Sequence, residues 1–136
     1  MNNVLAPFAN RAYALLRMIA GAMFLCHGLQ KLFGVLGGQQ PPAGSQLWIG
    51  GLLELLCGAA VALGLFTALG AFLASGMMAV AYAQFHWKFQ FDSAFFPVVN
   101  RGELAVLYCF VFLYIACRGS GMWGLDDARR RMAGRT

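Results

Sequence analysis

The chain has 136 residues, of which 60% are hydrophobic, 14% aromatic and only 11% charged, with a formal net charge of +5. Soluble domains carry roughly 25% charged residues, and disorder requires low hydrophobicity with high charge. The composition therefore excludes a disordered chain and a small soluble enzyme, whose limited interior could not hide this much apolar surface; the solvent is lipid.

A crossing helix needs roughly 20 mostly apolar residues to span a ~30 Å hydrocarbon layer. The first such span is expected over 13–33, with Arg17, His27 and Lys31 among apolar and small residues. Arg17 interrupts the apolar run and Met23-Phe24-Leu25 lacks the small residues of a cleavage site, so this span is expected to be retained, unlike a signal peptide. Residues 34–46, rich in Gly, Pro and Gln, read as a loop. The second span, 47–66, carries one charge, Glu54. A very short link near Thr67 predicts a tight hairpin into the third span, 68–85, which has no charge. Ala71, Ser75, Ala79 and Ala83 give it a small-residue stripe that lets another helix come close. Residues 86–101 mix aromatics with charges, and Pro97 and Asn100-Arg101-Gly102 break a helix there, which suits a loop at the membrane interface. The fourth span, 103–118, rests on an apolar run of 14 residues, Leu104 to Cys117. That run is short for a crossing but apolar on every side. The tail, 119–136, is basic, with Arg129, Arg130, Arg131 and Arg135.

These segments imply an all-α fold: a single domain over 1–136, built as an antiparallel, up-down four-helix transmembrane bundle. Four crossings place both termini and the second link on one side, with Arg11, Arg118, Arg129, Arg130, Arg131 and Arg135. The other side holds Lys31, Lys88 and Arg101, and the basic excess marks the termini as cytoplasmic. The tail suits lipid headgroups and is too short for a nucleic-acid module. Cys26, Cys57, Cys109 and Cys117 form no C-x-x-C pair and read as small buried hydrophobes. No metal or haem site is expected.

Ionisable groups inside a span are expensive and point to function. At 1.5 Å rise per residue, His27 lies roughly 9 Å and Glu54 about 10–12 Å below the outer ends of their spans. Arg17 lies roughly 21 Å below Lys31. A His27–Glu54 contact is therefore expected before Arg17–Glu54, although both remain open; Arg17 can also snorkel to the cytoplasmic headgroups. His27 and Lys31 share a helix face. Gly50, Glu54, Gly58 and Ala62 form a four-spaced row along which a neighbouring helix could close around the carboxylate. His86, Asn100 and Glu103 belong to the same outer rim. A carboxylate and an imidazole at one depth, under an aromatic loop, suit a quinone; a polar lock between helices is the alternative reading.

Several motifs in order resemble the DoxX family of small four-helix bacterial membrane proteins. They are Arg17, HGLQKLFG from His27, GLLELLCG from Gly51, LGLFT from Leu63, MAVAY from Met78, FFPVVNRGE from Phe95 and LYCFVFLYIA from Leu107. One departure is Arg101, where the family often has Gly. The resemblance implies a bacterial cytoplasmic (inner) membrane protein related to subunits of quinone-linked oxidoreductases. It carries over His27, Lys31, Glu54, Asn100 and Glu103 as polar site positions. The expectation is an integral membrane subunit of a redox system working with a protein partner, in which His27 and Glu54 are the catalytic candidates and contact a quinone. Lys31, Asn100 and Glu103 would line the entrance. The alternatives are a non-catalytic structural or assembly subunit and a small transporter or metal-handling protein; homo-oligomerisation stays open.

Overall fold

The computed structural model describes residues 4–134, and every regular element among them is helical. The order is α1 (Ala9–Phe33), α2 (Gln46–Leu63), α3 (Thr67–Ala81), α4 (Pro97–Asn100), α5 (Glu103–Arg118) and α6 (Leu125–Ala133). A π-helical turn, Tyr82–Trp87, continues α3. Three segments are long and apolar enough to cross a membrane: Ala6–Phe33, Gln46–Leu63 and Thr67–Trp87. α5 follows the expected fourth segment but has only 16 residues, fewer than the roughly 20 of a full crossing. Arg135 of the basic tail lies outside the described residues.

Local chemistry sets the boundaries. Gly34 and Gly64 end α1 and α2 in left-handed conformations at φ 66° and 71°, where a side chain would be strained. The Ser45 hydroxyl starts α2 by accepting from the Trp48 amide at 3.3 Å.

α1 and α2 run antiparallel with their backbones touching. A Cβ on Gly21 would lie 2.4 Å from the Ala62 nitrogen, one on Gly28 2.4 Å from the Leu55 nitrogen, and one on Gly58 2.4 Å from the Leu25 nitrogen. Gly51 receives the Lys31 stem, with a Cβ position 2.8 Å from that of Lys31. The four-spaced row read from sequence is only half of this contact: Gly50 meets nothing on α1. The reason is angular. A step of four residues drifts around the helix, whereas the seven-residue steps Gly21–Gly28 and Gly51–Gly58 drift by about 20°.

α3 packs on α5 through the expected stripe, but only at its first half. Ala71 and Ser75 are buried, and the Ser75 hydroxyl donates to the Cys109 carbonyl at 2.8 Å. Ala79 is exposed. Phe24 of α1 reaches across to Phe112, with ring centroids 4.8 Å apart, and closes the core with Val61 and Ile115.

The end of the bundle that carries the termini is tied by two polar groups. Arg17 is fully buried. Its guanidinium donates to the carbonyls of Val61 (2.5 Å) and Ala62 (2.8 Å), and to that of Met122 at 3.5 Å. It therefore neither snorkels to headgroups nor meets Glu54. The last carbonyls of α2 lie beyond the regular helical ladder, Val61 taking only the Gly64 cap amide at 3.2 Å, and carry the negative end of the helix dipole, so they hold the cation. Asp126 works in the opposite sense at the start of α3. Its carboxylate accepts from the Phe66 amide (3.0 Å), the Thr67 amide (2.9 Å) and the Thr67 hydroxyl (2.9 Å). The Asp126 amide donates to Gly64 at 2.8 Å. Desolvation pushes the Asp126 carboxyl up, but the Thr67 and Phe66 hydrogen bonds and the Arg130 charge outweigh it and hold the group below the usual aspartate range.

Gly58→Val should lower stability in detergent by about 1–3 kcal/mol through overpacking, whereas Gly50→Ala should not destabilise; thermal unfolding of both variants checks this. Asp126→Asn should lose about 1 kcal/mol at neutral pH, the value of an N-cap. Because the folded pKa is depressed, the wild-type advantage is present above the unfolded value near 3.9 and fades as pH falls below it. Unfolding midpoints of wild type and variant between pH 7 and pH 3 should converge.

Candidate functional site

At the opposite end, where the 34–45 and 88–102 loops lie, α1 and α2 place a cation on a carboxylate. Lys31 Nζ donates to Glu54 Oε1 at 2.5 Å, with side chains 32% and 7% exposed. Counting Cα positions misses this pairing because side chains lean toward the N-terminus of their own helix. In antiparallel helices the Lys31 stem leans toward the bundle centre and Glu54 leans toward the loops, so they meet. His27 leans away from Glu54. It is half-buried one turn along α1, and no hydrogen bond or ion pair joins it to Glu54 among the described residues.

The other oxygen, Glu54 Oε2, is buried without a hydrogen-bond partner. Buried polar atoms are rarely left so. A cleft of about 290 Å³ between α2 and α3 reaches the pair and is walled by Leu53, Met77, Met78 and Phe85. The Gln46 amide donates to the Gln84 carbonyl oxygen at 2.5 Å at the edge of this cleft. Gln84 and Phe85 belong to the π-helical turn, a local widening that often marks functional sites. The cleft combines apolar walls, a charged donor and an unused carboxylate acceptor, which fits a largely apolar ligand with oxygen at one end.

The remaining expected site residues lie elsewhere. Asn100 organises the 88–102 loop: its side chain donates to the Ala94 carbonyl (2.8 Å) and the Tyr82 hydroxyl (3.2 Å), and accepts from the Gly102 amide (2.8 Å). The Asn100 carbonyl lies 3.2 Å from His86 Nδ1, and the His86 ring stacks on Tyr82. Arg101 stands at φ 60°, a left-handed position that favours glycine. Glu103 is exposed in the first turn of α5. Neither Asn100 nor Glu103 lines the Glu54 cleft. Among the described residues, no three His, Cys, Asp or Glu side chains converge as a metal site.

Sequence reasoning passed over Gln46, Gln84 and Tyr108. The Tyr108 hydroxyl is a second buried, unpartnered oxygen, on a ring set against Phe24 and Phe112. Gln84 carries a legible signal, a lone amide at the end of an uncharged span. Tyr108 carries none, since an aromatic in an apolar run is ordinary.

A family model described as DoxX matches residues 12–87. An uncharacterized protein of Haemophilus influenzae is 36% identical over 131 residues, covering 93% of this chain and 96% of that protein. No solved structure matches.

The ion pair is open to a double-mutant cycle. Lys31→Met strands a buried carboxylate and should destabilise more than Lys31→Met combined with Glu54→Gln. A coupling energy of about 0.5–3 kcal/mol is expected from unfolding in detergent; zero coupling would mean that the pair does not form.

Proposed function

The chain belongs to the DoxX family of membrane proteins, and from that premise we propose that it is a quinone-interacting subunit of a membrane redox system. The supporting observation is Glu54 Oε2, a buried acceptor without a partner beside a cleft with apolar walls. In this reading the protein crosses the bacterial inner membrane four times, with both termini cytoplasmic, and the cleft opens toward the outer face.

When bound, a quinone supplies two-electron, two-proton redox chemistry; a protein partner of redox class supplies or removes the electrons. The chain's own residues bind and orient. Lys31 Nζ donates a hydrogen bond to a ring oxygen and steers it by charge. Glu54 would accept a hydrogen bond at Oε2 and hold a proton in exchange with the outer side. Met77, Met78 and Phe85 grip the ring and exclude water, and Gln46 with Gln84 borders the entrance. His27, half-buried one turn from Lys31, does not line the cleft, and its expected head-group contact is a further arm of this proposal. A second reading, a structural or assembly subunit, draws on the same ion pair, which ties α1 to α2 and could serve only as a lock.

Glu54→Gln separates the two. The amide keeps the shape and can still accept from Lys31, so the protein should insert and fold. Binding of a short-chain ubiquinone or menaquinone analogue to the purified protein should weaken at least tenfold, compared with Leu56→Val on an exposed face of α2. Unchanged quinone binding together with a lowered unfolding temperature would favour the lock.

A further inference from the structure

α6 has nine residues and buries none of them. Its apolar side chains Leu125, Ala128 and Met132 follow i, i+3, i+7 spacing and form one stripe. Leu125 is 45% and Met132 64% exposed, and Trp123, just ahead of the helix, is 59% exposed. The helix is nevertheless held firmly, because Asp126, on a different face, is bonded to the start of α3. The stripe thus points away from its anchor, with no part of the described chain covering it.

Charge bookkeeping identifies what would cover it. Asp126 is engaged at α3, and Asp127 is paired with Arg131 at 2.7 Å. Arg129, four residues after Leu125 and beside the stripe, makes no hydrogen bond or ion pair among the described residues. Arg130 reaches the Ser120 hydroxyl at 3.4 Å, and its charge also acts on Asp126. A shallow cleft of about 390 Å³ runs along the other side of the stripe, walled by Met122, Trp123, Leu125 and Ala128, with Asp127 and Arg131 at its rim. Exposed apolar side chains beside an unpaired guanidinium, Arg129, with Arg130 next in the chain, are the pattern of a helix lying in a bilayer interface. The position agrees: α6 follows α5 after six residues and is bonded to the first turn of α3, so it sits where two apolar helices end.

We propose that α6 is a binding element for anionic phospholipid. Leu125, Ala128, Met132 and Trp123 enter the upper acyl region, while Arg129 and Arg130 hold lipid phosphates. The anchor at Asp126 preorganises the helix, so no folding of the tail is required on contact.

The test uses the full-length protein in nanodiscs of phosphatidylcholine alone or mixed equally with phosphatidylglycerol. Amide exchange over 125–133 should be slower in the mixture, and the gain should shrink when salt is raised. Arg129→Gln should reduce the gain roughly fivefold, and the Arg129→Gln/Arg130→Gln pair should remove it. Leu125→Gln/Met132→Gln should lose protection in both lipids. Thr67 amide protection reports that the Asp126 anchor survives in every variant. Equal protection in the two lipids, or arginine variants indistinguishable from wild type, would overturn the proposal. So would cross-linking that places the α6 stripe against a second copy or another protein irrespective of lipid.

Discussion

The contact between the backbones of α1 and α2 governs the rest of the molecule. Gly21, Gly28, Gly51 and Gly58 remove the side chains that would otherwise keep two helices 8–10 Å apart. In lipid, where burial of apolar groups gives helices no reason to associate, close packing of this kind is a main source of attraction. Its consequences reach both ends. Because the helices touch at Gly51, the Lys31 stem can lie across α2 and reach Glu54. Because they touch at Gly21, Arg17 can reach the last carbonyls of α2. A wider crossing would leave two charges stranded in hydrocarbon.

The two ends treat buried charge differently. The terminal nitrogens of Arg17 meet three carbonyl acceptors, with Nε buried and unpartnered, and Asp126 meets three donors. At Glu54 one oxygen is used and the other is not. Access separates a fastening from a site: Arg17 is fully buried, whereas the loop end keeps an acceptor in reserve beside a cleft.

Much of this was legible in the residue order. Hydropathy and helix breakers act locally, so the apolar segments and the tight link before Thr67 could be read directly; the expected loop over 86–101 instead contains the short helix Pro97–Asn100, which Pro97 starts rather than breaks. Glu54 also stood out, because a lone carboxylate in an apolar span has few bland explanations. Its partner did not, since depth counted along Cα atoms ignores the opposed lean of side chains on antiparallel helices. Arg17 and Asp126 escaped for another reason. Apart from the Thr67 hydroxyl, their partners are backbone groups, which every residue carries, and the acceptors and donors lie more than 40 residues away. The continuation of α3 as a π-helical turn likewise has no one-dimensional signature.

The enclosure of Arg17 bears on how the protein is made. Its acceptors come from the end of α2 and from Met122, which lies beyond α5. As the ribosome delivers α1 to the membrane, that guanidinium has no protein partner and must stay near water or headgroups. It gains two carbonyls once α2 is in place and the third only after α5 has emerged. Insertion of α5 is thus coupled to the final enclosure of that charge, and a product that stops before Met122 would lack the third acceptor.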